Sequence, residues 1–196
     1  MTKFICETKN LSKKYKDFYA LKNVNLTIPK GEIYGLVGEN GAGKTTLIRL
    51  LTGLNFKSEG EIILFGHKDN LQHERSKIGC TIEMPALYKD MTASQNLEVQ
   101  RIQRGIPNKK CITDTLELIG LSNAGKKRVA NFSLGMKQRL ALGVALLGEP
   151  EFLILDEPVN GLDPTGIIEL RELLKKLVKE REVTILISSH ILSELH

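Results

Sequence analysis

What the chain lacks narrows its class. No run of apolar residues approaches the ~18 that a membrane-crossing helix needs. The polar start Met1-Thr2-Lys3 is not that of a signal peptide. Cysteine is scarce: Cys6, Cys80 and Cys111 are odd in number, far apart and in no CxxC pair. They read as reduced, mostly buried thiols of a cytosolic protein rather than a disulfide framework. His67 and His73 stand among polar residues with no second ligand at a metal spacing, so both read as surface residues. No internal repeat, low-complexity tract or heptad run is present, which excludes a solenoid or a coiled coil. Charge of one sign is not concentrated either: 28 Lys and Arg against 23 Asp and Glu leave +5, spread over many segments. That is a solvated surface, not a nucleic-acid or lipid footprint. At 196 residues, 41% hydrophobic and 26% charged, the chain is one soluble globular domain with a proper core, or one domain carrying an inserted subdomain.

What is present is organised around Gly38-Glu39-Asn40-Gly41-Ala42-Gly43-Lys44-Thr45-Thr46, which follows the apolar run Ile33-Tyr34-Gly35-Leu36-Val37. Gly38 and Gly43 are separated by four residues, with Lys44-Thr45 directly after, the pattern of a phosphate-binding loop. A loop wrapped around a polyphosphate turns its N–H groups inward, which glycines do cheaply. A helix from Thr45 to about Thr52 would aim its positive end at the same phosphates. Lys44 would reach the β- and γ-phosphates, and the Thr45 hydroxyl would hold Mg²⁺.

Residues 4–11 and 20–28 read as strands, the second with Val24, Leu26 and Ile28 on one face. Between them, residues 13–18 form a basic connecting loop whose Tyr15 could stack on a flat base. After a turn at 29–32, the run 33–37 reads as a buried strand. Further strands follow at 61–65 and 77–82, ending at Glu83-Met84-Pro85. The texture then becomes helical. Thr92 is an N-cap for a helix over 93–104, Gly105-Ile106-Pro107 breaks it, and a second helix covers 109–119. Residues 131–139 precede a helix at 140–147. Residues 87–148 thus form a helical subdomain set into an α/β body made of 1–86 and 149–196.

Phe152-Leu153-Ile154-Leu155-Asp156-Glu157 is an apolar strand ending in two carboxylates, as a buried parallel strand does where it opens on a ligand crevice. Asp156 can hold Mg²⁺ opposite Thr45, and Glu157 can act on a water aimed at the γ-phosphate, as base or orienter. A turn at 160–164 and an amphipathic helix to Glu180 lead to a final buried strand at 182–188 and to His190, placed for a γ-phosphate contact.

Taken in order, these motifs resemble the nucleotide-binding domain of ABC transporters from about residue 4 to the end. The resemblance implies a P-loop NTPase fold: a RecA-like core with a mostly parallel sheet, an N-terminal antiparallel β-subdomain and an inserted helical subdomain. Tyr15 falls on the family's adenine-stacking aromatic. Ser133-Leu134-Gly135-Met136 falls on the signature, usually Leu-Ser-Gly-Gly-Gln; Phe132, Leu134 and Met136 depart from it while Ser133 and Gly135 are kept. Asp156 and Glu157 match the metal-binding aspartate and catalytic glutamate, Asp163 the loop that crosses a dimer interface, and His190 the switch histidine. Glu83 stands where the family has a glutamine, able to touch Mg²⁺ or the attacking water but adding negative charge near the γ-phosphate. The stretch 82–92 with the Ser-Leu-Gly-Met signature resembles the bacitracin and lantibiotic export or immunity branch. Family domains usually run further past the switch histidine, so the chain reads as C-terminally short.

The resemblance implies ATP and Mg²⁺ as ligands and a nucleotide sandwich between two copies, or between this chain and a paired ATPase subunit. Ser133 and Gly135 of one copy would close on the γ-phosphate held by Lys44 of the other, from a helix N-terminus near Leu134. The motion would pass to transmembrane permease subunits through the groove near residues 83–90, placing the protein in the cytoplasm on the inner face of the membrane. No nucleic-acid partner is expected; the alternative is a soluble ABC-type ATPase acting on ribosomes or nucleic acid.

Overall fold

The computed structural model describes residues 3–82 and 87–190. Two sheets organise it. Strands β1 (Phe4–Tyr15) and β2 (Phe18–Pro29) pair antiparallel, and β4 (Glu59–Leu64) adds to the other side of β1, giving the order β2-β1-β4. The second sheet is wholly parallel: β3 (Ile33–Val37), β7 (Thr184–Ser189), β6 (Phe152–Asp156) and β5 (Ile78–Thr81), in that spatial order. This is the expected α/β, P-loop NTPase architecture, with a parallel core sheet, an N-terminal antiparallel sheet and helices.

The parallel sheet is the common wall of two cores. Every residue of β6 is buried, and they alternate in what they face. Phe152 and Ile154 turn to a cluster with Ile5, Leu11, Ile28 and the apolar face of α1 (Lys44–Leu51). Leu153 and Leu155 turn to a cluster with α3 (Ala93–Gln103), α4 (Lys110–Leu118), α5 (Leu134–Leu146) and α6 (Pro164–Arg181). The two-residue period of a strand produces this directly. Helix α5 lies so close to the sheet that a Cβ on Gly79 of β5 would stand 2.1 Å from the Ala145 carbonyl oxygen. Only glycine fits there.

Local signals set most boundaries. Thr92 starts α3 with a capping box: its hydroxyl accepts from the Gln95 N–H at 3.2 Å while the Gln95 side chain accepts from the Thr92 N–H at 2.8 Å. Asp163 caps α6, with Pro164 in the first turn.

Four expectations change. Strand β1 runs to Tyr15 and β2 starts at Phe18, so the basic loop is the tip of a tight hairpin, with Lys16 at φ 51°. Helix α5 starts at Leu134, as the resemblance implies, and not at 140 where the residue pattern puts it, because Ser133 caps it and accepts the Met136 N–H at 3.2 Å. A short helix α2 (Leu71–Arg75) occupies the stretch around His73, which the residue pattern marks only as polar surface. Strand β3 is not buried: it pairs with β7 alone, at the sheet edge, and Ile33 and Val37 are about 40% exposed. Apolar composition alone does not distinguish an edge strand from a central one.

Candidate nucleotide site

The site forms where the parallel strands end, the usual crevice of such sheets. The phosphate loop leaves β3 at Val37 and is tied to β7 through the Gly38 N–H, which donates to the Ser189 carbonyl at 3.3 Å. Gly43, at φ +92°, caps α1, and a Cβ on it would meet the Ala20 carbonyl oxygen at 2.6 Å. Backbone angle and neighbour both demand glycine. Helix α1 carries no acidic residue in its first turn, so its positive end, roughly half a charge, faces the loop unopposed by its own side chains.

Lys44, only 7% exposed, folds back over the loop and donates to the carbonyls of Gly38 at 2.7 Å and Glu39 at 3.2 Å. Its Nζ also lies 3.4 Å from Glu157 Oε1. The Thr45 hydroxyl donates to Asp156 Oδ2 at 2.8 Å, across 111 residues of sequence. Glu157, the first residue beyond β6, sits at φ 46°, an unusual angle for a residue with a side chain. Its Oε2 accepts from Asn160 Nδ2 at 2.6 Å and faces His190 Nδ1 at 3.2 Å. Burial pushes the Glu157 carboxyl up, but the hydrogen bonds from Asn160 and Lys44 and the charges of Lys44 and His190 outweigh it. The group ends below the ordinary carboxylate range.

Tyr15 and Phe18, from the hairpin tip, share a cavity of about 350 Å³ with Asn40, Gly41, Gly43, Lys44, Thr45, Thr46 and Glu157. Tyr15 is half-exposed, its hydroxyl bonded to Asn55 Nδ2 and its ring 4.8 Å from the Lys13 ammonium. Thus Tyr15, Gly41, Gly43, Lys44, Thr45, Thr46, Asp156, Glu157 and His190 are brought together. Glu39 contributes its backbone carbonyl, and Ala42 donates to that same carbonyl at 3.1 Å.

Ser133, Gly135 and Asp163 are elsewhere. They line a different cavity, about 670 Å³, between the start of α5 and the start of α6, bordered by the Arg139–Glu169 ion pair. Within this chain Asp163 Oδ1 is occupied as a helix cap, accepting from Gly166 N–H at 3.1 Å. Glu83 lies outside the described residues. A larger cavity of about 960 Å³ opens at the opposite end of the strands, beside Gly31 and Thr184, and none of the motif residues line it. Chemistry rather than volume locates the site.

Sequence reasoning missed three contributors: Phe18 in the cavity wall, Asn160 on Glu157, and Ser188, whose hydroxyl donates to the Asp156 carboxylate and accepts the Glu157 backbone N–H. A serine closing an apolar strand beside an acidic strand end was the available signal.

The donor set suits Mg²⁺ arriving with phosphates. Hard oxygens of Thr45 and Asp156 are adjacent, while among the described residues no three His, Cys, Asp or Glu side chains gather into a metal cage. Asp156 and Glu157 facing a polyphosphate also call for a cation to offset like charge.

A phosphate loop on a parallel sheet, with its threonine against the aspartate of the next strand but one, defines a P-loop nucleotide-binding domain. Comparison then sets the family. Residues 21–160 match the family model described as ABC transporter. The chain is 46% identical over 194 residues to the bacitracin transport ATP-binding protein BcrA of Enterococcus faecalis, covering 98% of this chain and 63% of that one. It is 48% identical over 186 residues to the lantibiotic transport ATP-binding protein SrtF of Streptococcus pyogenes, covering 95% and 80%. Among solved structures, cbiO1 of Clostridium perfringens, part of the ABC transporter complex cbiONQ, superposes with a TM-score of 0.89 at 30% identity, over 97% of this chain and 80% of that one. The ATP-binding cassette MJ0796, in a dimeric post-hydrolysis state bound to ADP and Pi, gives 0.86 at 29%, over 97% and 90%. The chain belongs to the ABC transporter family. It spans a little under two thirds of the length of the bacitracin relative.

Proposed function

We propose that this chain is the ATP-binding and ATP-hydrolysing subunit of an ABC transporter that exports a peptide antibiotic or similar compound. The observation that carries the reading is the meeting of Lys44, Thr45, Asp156 and Glu157 at one helix N-terminus, with Thr45 and Asp156 2.8 Å apart and Lys44 and Glu157 3.4 Å apart. Lys44 and the loop bind the β- and γ-phosphates, and Tyr15 offers its ring to the adenine. Thr45 and Asp156 would hold Mg²⁺, with Glu83 a further candidate; the ion supplies charge neutralisation on the phosphates. Glu157, held ionised by its neighbours, is a weak base but a good acceptor, so its role is to orient the water. His190 supports Glu157 and contacts the γ-phosphate.

The signature residues complete the site from a second cassette, identical or paired, with residues 87–148 as the signature-bearing unit and Asp163 at the crossing. Relatives named for bacitracin and lantibiotic transport support the substrate class. No described helix is long and apolar enough to cross a membrane. Its partners are transmembrane permease subunits of an ABC transporter, with this chain peripheral on the inner face of the membrane, a reading that the relatives named for transport support.

The test is phosphate release from Mg·ATP by the full chain, wild type against Lys44→Ala. Hydrolysis that depends on Mg²⁺ and is lost in the variant is expected. Wild-type protein that binds no nucleotide would overturn the reading.

A further inference from the structure

Ser188 is fully buried at the end of β7, directly opposite Asp156 in the parallel register. Its hydroxyl has one proton, and that proton goes to Asp156 Oδ1 at 2.6 Å. Ser188 Oγ in turn accepts the Glu157 N–H at 2.8 Å. At this point β6 leaves the sheet and Glu157 turns to φ 46°, so a side-chain oxygen takes the place of the next backbone acceptor. Thr45 occupies the other oxygen of Asp156. The aspartate is thus fixed from both sides, and the peptide carrying Glu157 is fixed by the group that fixes Asp156.

We propose that Ser188 is a positioning residue for the reaction, a single hydroxyl that orients the metal-facing carboxylate of Asp156 and anchors the strained backbone of Glu157. The proposal rests on the nucleotide reading above. The polarity of the relay is forced: amide to hydroxyl to carboxylate, with each hydrogen used once. A carboxylate held by two donors keeps one orientation, and outer partners of metal-facing groups commonly control metal affinity by about tenfold to a hundredfold. Alanine at 188 would free Oδ1 of Asp156 and leave the Glu157 N–H without its acceptor. Threonine would keep both bonds.

The experiment measures binding of a fluorescent ADP analogue to the full chain at graded Mg²⁺, and without Mg²⁺ in EDTA. Wild type, Ser188→Ala, Ser188→Cys and Ser188→Thr are compared, with melting curves recorded alongside. Ser188→Ala is expected to need about tenfold more Mg²⁺ for half-maximal tightening, with affinity in EDTA unchanged. Ser188→Cys, near serine in size but a poor donor, should fall between, and keeps the test open if the alanine variant does not fold. Ser188→Thr should follow wild type, and in ATP hydrolysis the loss should fall on kcat more than KM. A Mg²⁺ requirement that is unmoved in folded Ala and Cys variants, or an equal loss of affinity in EDTA, overturns the proposal. Wild-type protein whose nucleotide binding ignores Mg²⁺ would instead overturn the parent reading, and this one with it.

Discussion

The two regions proposed to meet the nucleotide are built to different standards. At the phosphate loop, Lys44 is buried, Thr45 is bonded to Asp156, and Glu157 is held by Lys44, Asn160 and His190, all within one chain. At the signature, Ser133 is exposed and its hydroxyl accepts from its own helix, and among the described residues outside that helix's backbone the nearest to a would-be Gly135 Cβ is Leu162 at 3.6 Å. A preorganised half and a waiting half are what a site shared between two copies requires: binding is prepared in advance, while the groups that enclose the γ-phosphate arrive with the partner.

Several changes would break or sharpen this contrast. Lys44→Ala should cause the largest loss, on the order of a thousandfold in hydrolysis with nucleotide affinity falling as well, read by phosphate release and titration. Next, Gly43→Ala forces a side chain into φ +92° against the Ala20 carbonyl and should cost about 2 kcal/mol in unfolding free energy, seen in urea titrations. Ser133→Ala should leave the affinity of the isolated chain for nucleotide unchanged but lower hydrolysis about tenfold; a fall in affinity would mean that the signature already serves its own chain's loop. That variant also loses a helix cap, worth about 1 kcal/mol.

The smallest effect is acid sensitivity. Because the Glu157 carboxyl is lowered, its contribution is complete above the ordinary carboxylate value and is lost as pH falls through its own lower one. Glu157→Gln should remove that acid-side loss, a difference on the order of 1–2 °C in melting temperature between neutral solution and solution more acid than the ordinary carboxylate value.

The contrast also marks what the chain's sequence discloses. The phosphate loop and the acid-ended strand β6 are contiguous motifs whose chemistry is written in neighbouring residues, and the structure brings them together. The Thr92 cap is equally local and equally legible, and Gln95 completes it as a capping box in the structure. Ser188 is different: its place at the close of an apolar strand is the one local signal, and its two bonds join residues 31 and 32 positions away. The start of α5 was obscured because Gly135 weakens the helical pattern and only the Ser133 cap sets the boundary. The edge position of β3 follows from strand order, which no single strand contains. Of the three cysteines read as mostly buried only Cys6 is, Cys80 and Cys111 being partly exposed; burial with the nearby Glu7 pushes the Cys6 thiol up to about 12, leaving it unreactive.

The central claim is that two such chains close around ATP. Light scattering on a sizing column, applied to Glu157→Gln with and without Mg·ATP, tests it most directly, because this change keeps nucleotide bound while removing the group that orients water. The account predicts a pair that forms with ATP and fails to form when Lys44→Ala is added. A protein that binds ATP, as shown by separate titration, yet keeps the mass of one chain would contradict it.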